Sequence, residues 1–288
     1  MNLLELVERQ QIFADGAMGT MLQAAGLRGG RSPEQWNIER PDAVRAVHEA
    51  YAHAGANLLT ANTFGANALR QRRSKYSVAA LAEAGIRLAR EIADAAAQPC
   101  FAALDVGPLG AFLEPLGTVS FAQAAAYFRE PIEAAAAWAD CILIETMSDV
   151  REASAAVQAA RESCTLPVFV TMSFDEKGRL LSGATLEEAL DALSPLGIAG
   201  FGCNCGIGPS QMLDHLRRLS ARTNLPLIIS PNAGLPRYQD GETVYDLTPE
   251  VFARHMRAIA AGGARVLGGC CGTTPAHIRA MIAAVTED

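Results

Sequence analysis

Cys141-Ile142-Leu143-Ile144-Glu145 is an apolar run that ends in a carboxylate, and the amphipathic segment Val150–Glu162 follows it after a short polar joint. The run is short enough for a strand buried on both faces, and the segment is long enough for a helix of several turns. Working outward, the same unit recurs along the whole chain. Strand-like runs fall at Ile12–Asp15, Asn57–Thr60, Cys100–Val106, Cys141–Glu145, Val168–Ser173, Gly197–Cys203, Leu227–Pro231 and Val266–Gly269. Helix-like segments follow them, including Asp42–Ala54, Ser77–Ala97, Leu186–Leu193, Pro209–Ala221, Pro249–Ala261 and Pro275–Val285. Ser120–Ala139 is interrupted by Pro131, which predicts a kink or a restart of that helix. Eight β-α units over about 250 residues predict a single (β/α)8 TIM-type barrel. A doubly wound nucleotide-binding fold would carry a G-x-G-x-x-G turn after its first strand, and Asp15-Gly16-Ala17-Met18-Gly19-Thr20 is not one. With no low-complexity linker, residues 1–288 read as one domain.

The bulk composition narrows the chemistry. Half of the 288 residues are hydrophobic and the net charge is −7, which disfavours nucleic acid as a partner. The one dense basic stretch, Arg70-Gln71-Arg72-Arg73-Ser74-Lys75, reads as a solvated loop. No apolar run is long enough to span a bilayer, and Met1–Arg9 is too short and too charged for a signal peptide, so a cytoplasmic protein without a membrane partner is expected. Seven cysteines in a chain of this size suit a reducing compartment with thiols free for metal. Cys100, Cys141 and Cys164 lie in or beside apolar stretches and read as core or helix residues.

In a barrel of this type the chemistry sits at the C-terminal ends of the strands. The polar residues that interrupt the apolar runs lie there: Asp15, Asn62-Thr63, Asp105, Glu145-Thr146, Ser173, Asn204-Cys205, Asn232 and Cys270-Cys271. Cys270 and Cys271 sit in Gly268-Gly269-Cys270-Cys271-Gly272-Thr273-Thr274-Pro275, and a third thiol comes from Cys203-Asn204-Cys205. Strand alternation lets one of Cys203 and Cys205 face the mouth. Three thiols at two strand ends predict a catalytic zinc site with an open fourth position. Zinc held by three thiolates is a poor activator of water, but it suits a fourth, nucleophilic thiolate. A free thiol is only about 3% ionised at pH 7, and coordination removes that limit. The reaction implied is alkyl transfer to a substrate thiol. Other readings are a closed Cys3His site completed by His277, cysteines that are simply buried, a non-catalytic zinc module, and a zinc hydrolase or lyase barrel. The last would want histidine or carboxylate ligands, and no histidine lies at a predicted strand end.

Six pieces in order resemble the homocysteine S-methyltransferase family. They are Asp15–Thr20, Asn62-Thr63-Phe64-Gly65-Ala66, Glu145-Thr146-Met147-Ser148-Asp149, Gly202-Cys203-Asn204-Cys205, Asn232-Ala233-Gly234-Leu235-Pro236 and Gly268–Pro275. The resemblance runs from about Phe13 to Ile278. Within the family, Asn62–Ala66 and Asn232–Pro236 followed by Asp240-Gly241-Glu242-Thr243 are most similar to the homocysteine-binding domain of cobalamin-dependent methionine synthase. The resemblance implies that Cys205, Cys270 and Cys271 bind Zn²⁺ and that the sulfur of homocysteine completes the tetrahedron. It also implies that the amino-acid end of homocysteine is held by Glu145 and by the first βα loop, with Asp15, Ala17 and Met18. Ser173 and Asn232 are weaker substrate-side candidates, and Asn232 could fill the open zinc position when substrate is absent. For Asp15 and Glu145 the competing expectation is a barrel-end salt bridge or a helix cap. The paired glycines Gly268 and Gly269 are expected to let the backbone turn tightly beneath the metal. The product would be methionine, made by in-line attack of the zinc-bound thiolate on an activated methyl group. The chain departs from full-length methionine synthase by ending at Asp288, with no folate domain and no D-x-H-x-x-G cobalamin motif. The expected donor is a methyl-corrinoid such as methylcobalamin supplied by another chain. The alternatives are a small sulfonium, S-methylmethionine or S-adenosylmethionine, and a chain that is a fragment or subunit of a larger system.

Overall fold

The computed structural model describes residues 2–239 and 242–287, so Asp240 and Gly241 lie outside the described residues. Ten strands are present among the described residues. Eight of them form one parallel sheet: β1 (Ile12–Phe13), β2 (Leu58–Thr60), β3 (Phe101–Val106), β4 (Cys141–Met147), β5 (Val168–Met172), β6 (Gly200–Asn204), β7 (Leu227–Ser230) and β10 (Val266–Leu267). The remaining two, β8 (Arg237–Gln239) and β9 (Glu242–Val244), pair antiparallel as a hairpin beyond β7.

The order around the sheet is β1-β10-β7-β6-β5-β4-β3-β2, so each strand pairs with its neighbour in the βα sequence. The ring closes between β1 and β2. Ala14 bridges Leu58 in parallel, the Asp15 N–H donates to the Leu58 carbonyl (3.0 Å), and the Asn57 N–H donates to the Phe13 carbonyl (2.8 Å). The fold is the expected (β/α)8 barrel.

The helices are α1 (Leu3–Arg9), α2 (Met18–Ala24), α3 (Trp36–Glu39), α4 (Pro41–His53), α5 (Val78–Ala95), α6 (Phe121–Ala135), α7 (Val150–Ser163), α8 (Leu186–Leu193), α9 (Pro209–Ser220), α10 (Pro249–Ala261) and α11 (Pro275–Thr286). Their starts follow ordinary capping chemistry. Ser77, Ser120, Asp149, Thr185 and Thr248 each accept a backbone N–H from the first turn of the helix they open. α6 does not restart at Pro131. It runs through that buried residue and tightens to a 3-10 turn at Ala136–Trp138. No helix among the described residues is long and apolar enough to cross a membrane.

Strand periodicity divides the buried residues between two cores. Ile142 and Ile144, Val168 and Val170, and Phe201 and Cys203 point outward against the helices. Phe101 and Ala103, Cys141 and Leu143, Phe169, Ile228 and Val266 point inward. At the N-terminal end the interior is filled by Leu3, Leu6 and Val7 of α1, which plugs the barrel from below. The inward parity of β3 and β4 continues upward to Asp105 and Glu145, so the periodicity that fills the core also delivers two carboxylates to the mouth.

Candidate metal centre and substrate pocket

A cavity of about 740 Å³ occupies the C-terminal mouth and reaches into the barrel. Its wall includes the three predicted cysteines and both predicted carboxylates.

Cys205, Cys270 and Cys271 bring their sulfurs within 4.8 Å of one another. Cys271 Sγ lies 4.0 Å from Cys205 Sγ and 4.0 Å from Cys270 Sγ. Zn–S bonds of about 2.3 Å in a tetrahedron would set sulfurs about 3.8 Å apart, so the trio matches three corners of such a site. Hydrogen bonds from Cys205 and Cys270 hold the Cys271 thiol far below the ordinary range, while the same contacts and burial push Cys270 up.

Cys203 and Cys205 have the same strand parity, so alternation sends both outward and does not choose between them. Cys203 obeys it and is buried in the outer core. Cys205 escapes because β6 ends at Asn204 and Cys205 adopts a left-handed φ of 58°. That conformation is uncommon for a residue with a Cβ and costs on the order of 1–3 kcal/mol. The second strained residue is Thr146, at φ 60°. It lies in the register shift of β4 between Ile144 and Met147, beside Glu145. Both strained residues belong to the site.

The double glycine acts by close approach and not by a tight turn. A Cβ on Gly268 would lie 2.9 Å from Ala14 Cβ, and one on Gly269 would lie 2.5 Å from Thr273 Oγ1. Removing both side chains lets the cysteine turn sit against the first loop. Thr273 then fixes the contact, because its hydroxyl donates to the Cys270 carbonyl (2.7 Å) and accepts from the Ala17 N–H (3.1 Å). The Ala17 N–H is therefore spent inside the protein. Of the predicted pair, Met18 is the one that opens α2 with no capping side chain before it.

His277 does not join the cysteines. Its Nε2 faces the Leu247 carbonyl at 2.8 Å, and its Nδ1 accepts from the Thr274 N–H at 3.2 Å. Among the described residues the three cysteines are the one group of three or more potential ligands placed to hold a metal.

The carboxylates form a second cluster in the same cavity. Among the described residues, neither Asp15 nor Glu145 makes a salt bridge or caps a helix. Asp15 accepts from the Thr60 N–H (2.9 Å) and hydroxyl (2.7 Å), and burial raises it to about 7. Glu145 accepts from Asn204 Nδ2 (3.2 Å), and burial with the charges of Asp15 and Cys271 raises it to about 8. Asp105 is raised by burial and by Glu145 and Asp15, and its Oδ1 has no partner. Asp105 belongs to this set although its sequence position marked it only as a strand end.

Asn204 joins the two clusters. Its Nδ2 donates to Thr146 Oγ1 (2.7 Å) and Glu145, and lies 4.0 Å from Cys270 Sγ. Its Oδ1 accepts from the Thr146 N–H (2.9 Å) and the Thr171 hydroxyl (2.9 Å). The sequence offered one signal for it: an amide between two cysteines at a strand end. Ser173 and Asn232 are not brought into the cavity wall. The Ser173 hydroxyl stands against Gly206, next to Cys205, and Asn232 is buried with Oδ1 unpartnered.

Residues 12–285 match the family model for homocysteine S-methyltransferase. The chain belongs to the homocysteine S-methyltransferase family. This family member is 36% identical to the methionine synthases of Mycobacterium tuberculosis and Mycobacterium leprae over 99% of its own length, and it spans about a quarter of theirs (25%). Among solved structures it is similar to the metallated form of the Escherichia coli homocysteine methyltransferase MmuM. The TM-score is 0.83 at 26% identity, covering 97% of this chain and 98% of that one. The carboxyl transferase domain of Rhizobium etli pyruvate carboxylase shares the barrel alone, at TM-score 0.54 and 13% identity.

Proposed function

We propose that the barrel mouth binds homocysteine and prepares its sulfur for methylation to methionine, with Zn²⁺ held by Cys205, Cys270 and Cys271. The observation that carries this reading is the placement of a three-sulfur cluster and a three-carboxylate cluster in one cavity. The first suits a thiophilic ion, and the second suits an ammonium group. Homocysteine presents a thiol and an ammonium on one short chain. Zinc in that setting would keep the substrate thiol ionised at neutral pH.

The chain's own residues do the rest. Glu145, Asp105 and Asp15 receive the ammonium, and its charge restores their ionised forms. The first loop at Met18 receives the carboxylate. Asn204 holds Glu145 and Cys270 in fixed relation, so the amino-acid end and the sulfur end of the substrate are placed together. The transfer step needs no general base in the pocket.

The favoured donor is a methyl-corrinoid carried by another domain or chain. The similarity to methionine synthases four times as long supports a donor held elsewhere. A small sulfonium donor is the second reading, supported by the match to MmuM over nearly all of that protein.

The test is methionine formation by the zinc-loaded chain with homocysteine, supplied in parallel with methylcobalamin and with S-methylmethionine. Turnover with methylcobalamin alone supports the first donor, and turnover with S-methylmethionine supports the second. Failure of homocysteine to bind the zinc-loaded chain would end the reading.

A further inference from the structure

Two arginines line a cavity that otherwise gathers carboxylates, and the scheme above leaves both idle. Arg31 lies between α2 and α3, in the crossover from β1 to β2, and Arg70 lies between β2 and α5. Arg70 opens the basic stretch that reads as a solvated loop in the sequence, yet it forms part of the cavity wall. The two segments are tied at the next residue of each, where Gln71 Nε2 donates to Ser32 Oγ at 2.8 Å. Arg31 and Arg70 therefore share one side of the mouth, while the sulfurs come from the ends of β6 and β10.

Arg70 is held in place without spending its charge. Its Nε donates to the Pro108 carbonyl (2.8 Å), and its guanidinium carbon lies 5.5 Å from the centre of the Phe64 ring. Two glycines make room for it. A Cβ on Gly65 would stand 3.2 Å from Arg70 Cδ, and one on Gly110 would stand 3.4 Å from Nε. The terminal nitrogens of Arg70 have no partner among the described residues. The neighbouring carboxylate, Glu34, is already taken by the Gly65 N–H (2.7 Å), Gln71 Nε2 (3.1 Å) and Ser32. Arg31 is exposed, and its side chain has no ion pair among the described residues.

We propose, on the reading of the mouth given above, that Arg31 and Arg70 form an oxyanion subsite for the methyl donor. An arginine fork takes carboxylate or phosphate oxygens in paired hydrogen bonds, and a guanidinium already pinned loses little freedom in doing so. The occupant is the donor because the carboxylate cluster and the first loop already receive both charged ends of homocysteine. Both arginines are also exposed at the outer wall, where a second molecule enters. Methylcobalamin carries such a group in the phosphate of its nucleotide loop, and S-methylmethionine carries one in its carboxylate. The shared chemistry is a single anionic group, and the experiment separates the two sources.

The experiment uses the zinc-loaded chain as wild type, Arg31→Gln, Arg70→Gln and Arg73→Gln. It measures KM and kcat for each donor, donor Kd in the absence of homocysteine, and homocysteine Kd. Methylcobinamide, which lacks the phosphate, and the amide of S-methylmethionine serve as neutral counterparts. Arg31→Gln and Arg70→Gln should each raise donor KM and Kd about tenfold, as for loss of a hydrogen bond to a charged group, with kcat and homocysteine Kd unchanged. The neutral counterparts should bind wild type and variants alike. Arg73→Gln, from the same basic stretch but outside the cavity wall, should behave as wild type. An effect on methylcobalamin alone would name phosphate as the source, and an effect on S-methylmethionine alone would name carboxylate. Unchanged donor constants in Arg31→Gln, whose exposed side chain is not needed for folding, would overturn the proposal. So would an equal loss for charged and neutral donors, an equal loss in Arg73→Gln, or a rise confined to homocysteine Kd. Wild type that binds homocysteine and neither donor would overturn it too, with the homocysteine reading intact. Wild type that fails to bind homocysteine would end that reading, and the subsite with it.

Discussion

Asp15, Asp105 and Glu145 share one pocket and form no salt bridge among the described residues, and two residues at left-handed φ, Thr146 and Cys205, line the same cavity. Such an arrangement is costly in the free protein and is offset when a cation arrives. Glu145→Gln keeps an oxygen for Asn204 and removes the charge. It should raise the homocysteine Kd by about 10- to 100-fold, the range for losing a hydrogen bond to a charged group, with zinc content unchanged. Calorimetric titration and metal analysis on the same sample check both parts. Cys270→Ser or Cys271→Ser should lose zinc and methyl transfer together, and a serine variant with full turnover would sink the mechanism. The cysteines stood out as thiols at strand ends, whereas Glu145 was singled out through the family resemblance. The choice between Cys203 and Cys205 was not legible from periodicity, since the decisive variable is a backbone angle at position 205. Asp105 looked like any polar strand end until its unpartnered oxygen was seen beside Asp15 and Glu145.

At the scale of elements, α1 closes the barrel from below. Asn2 caps it by accepting from the Glu5 N–H at 2.9 Å, and Leu3, Leu6 and Val7 enter the inner core. Leu6→Ala should cost about 2–5 kcal/mol of stability, as for other buried leucines, and leave homocysteine affinity within about twofold, because the plug and the mouth are at opposite ends. Denaturant unfolding and ligand titration of the variant check this. The eight strands and most helices were readable from periodicity, with ends that coincide or shift by at most four residues. Neither α1 nor the β8–β9 hairpin was read. Seven residues are too few to show a helical period. The hairpin strands are three residues each, and its signal, the Asp240-Gly241 pair, lies outside the described residues.

For the whole molecule, the raised carboxylates set how stability changes with pH. Asp15 and Glu145 titrate at about 7 and about 8 in the fold, above the ordinary carboxylate range of the unfolded chain, and Asp105 is raised as well. At these three groups the fold therefore binds more protons than the unfolded chain between those limits. The substrate-free protein should lose stability as pH rises from about 4 to about 8. Homocysteine should reverse part of that loss, since an ammonium favours the ionised carboxylates. Thermal midpoints across this range, with and without homocysteine, check the sign, and a midpoint that rises with pH in the free protein would contradict it. The seam between β1 and β10 has a further consequence, in the order of events during synthesis. Ala17 and Thr273 meet across 256 positions, and Cys270 and Cys271 emerge long after Asp15. Until they do, the nascent barrel has neither its closing strand nor two of its three sulfurs. Under the proposed metal-site reading, an ion held by all three sulfurs would be captured only once the first and final strands have found each other, which would make its capture a late checkpoint.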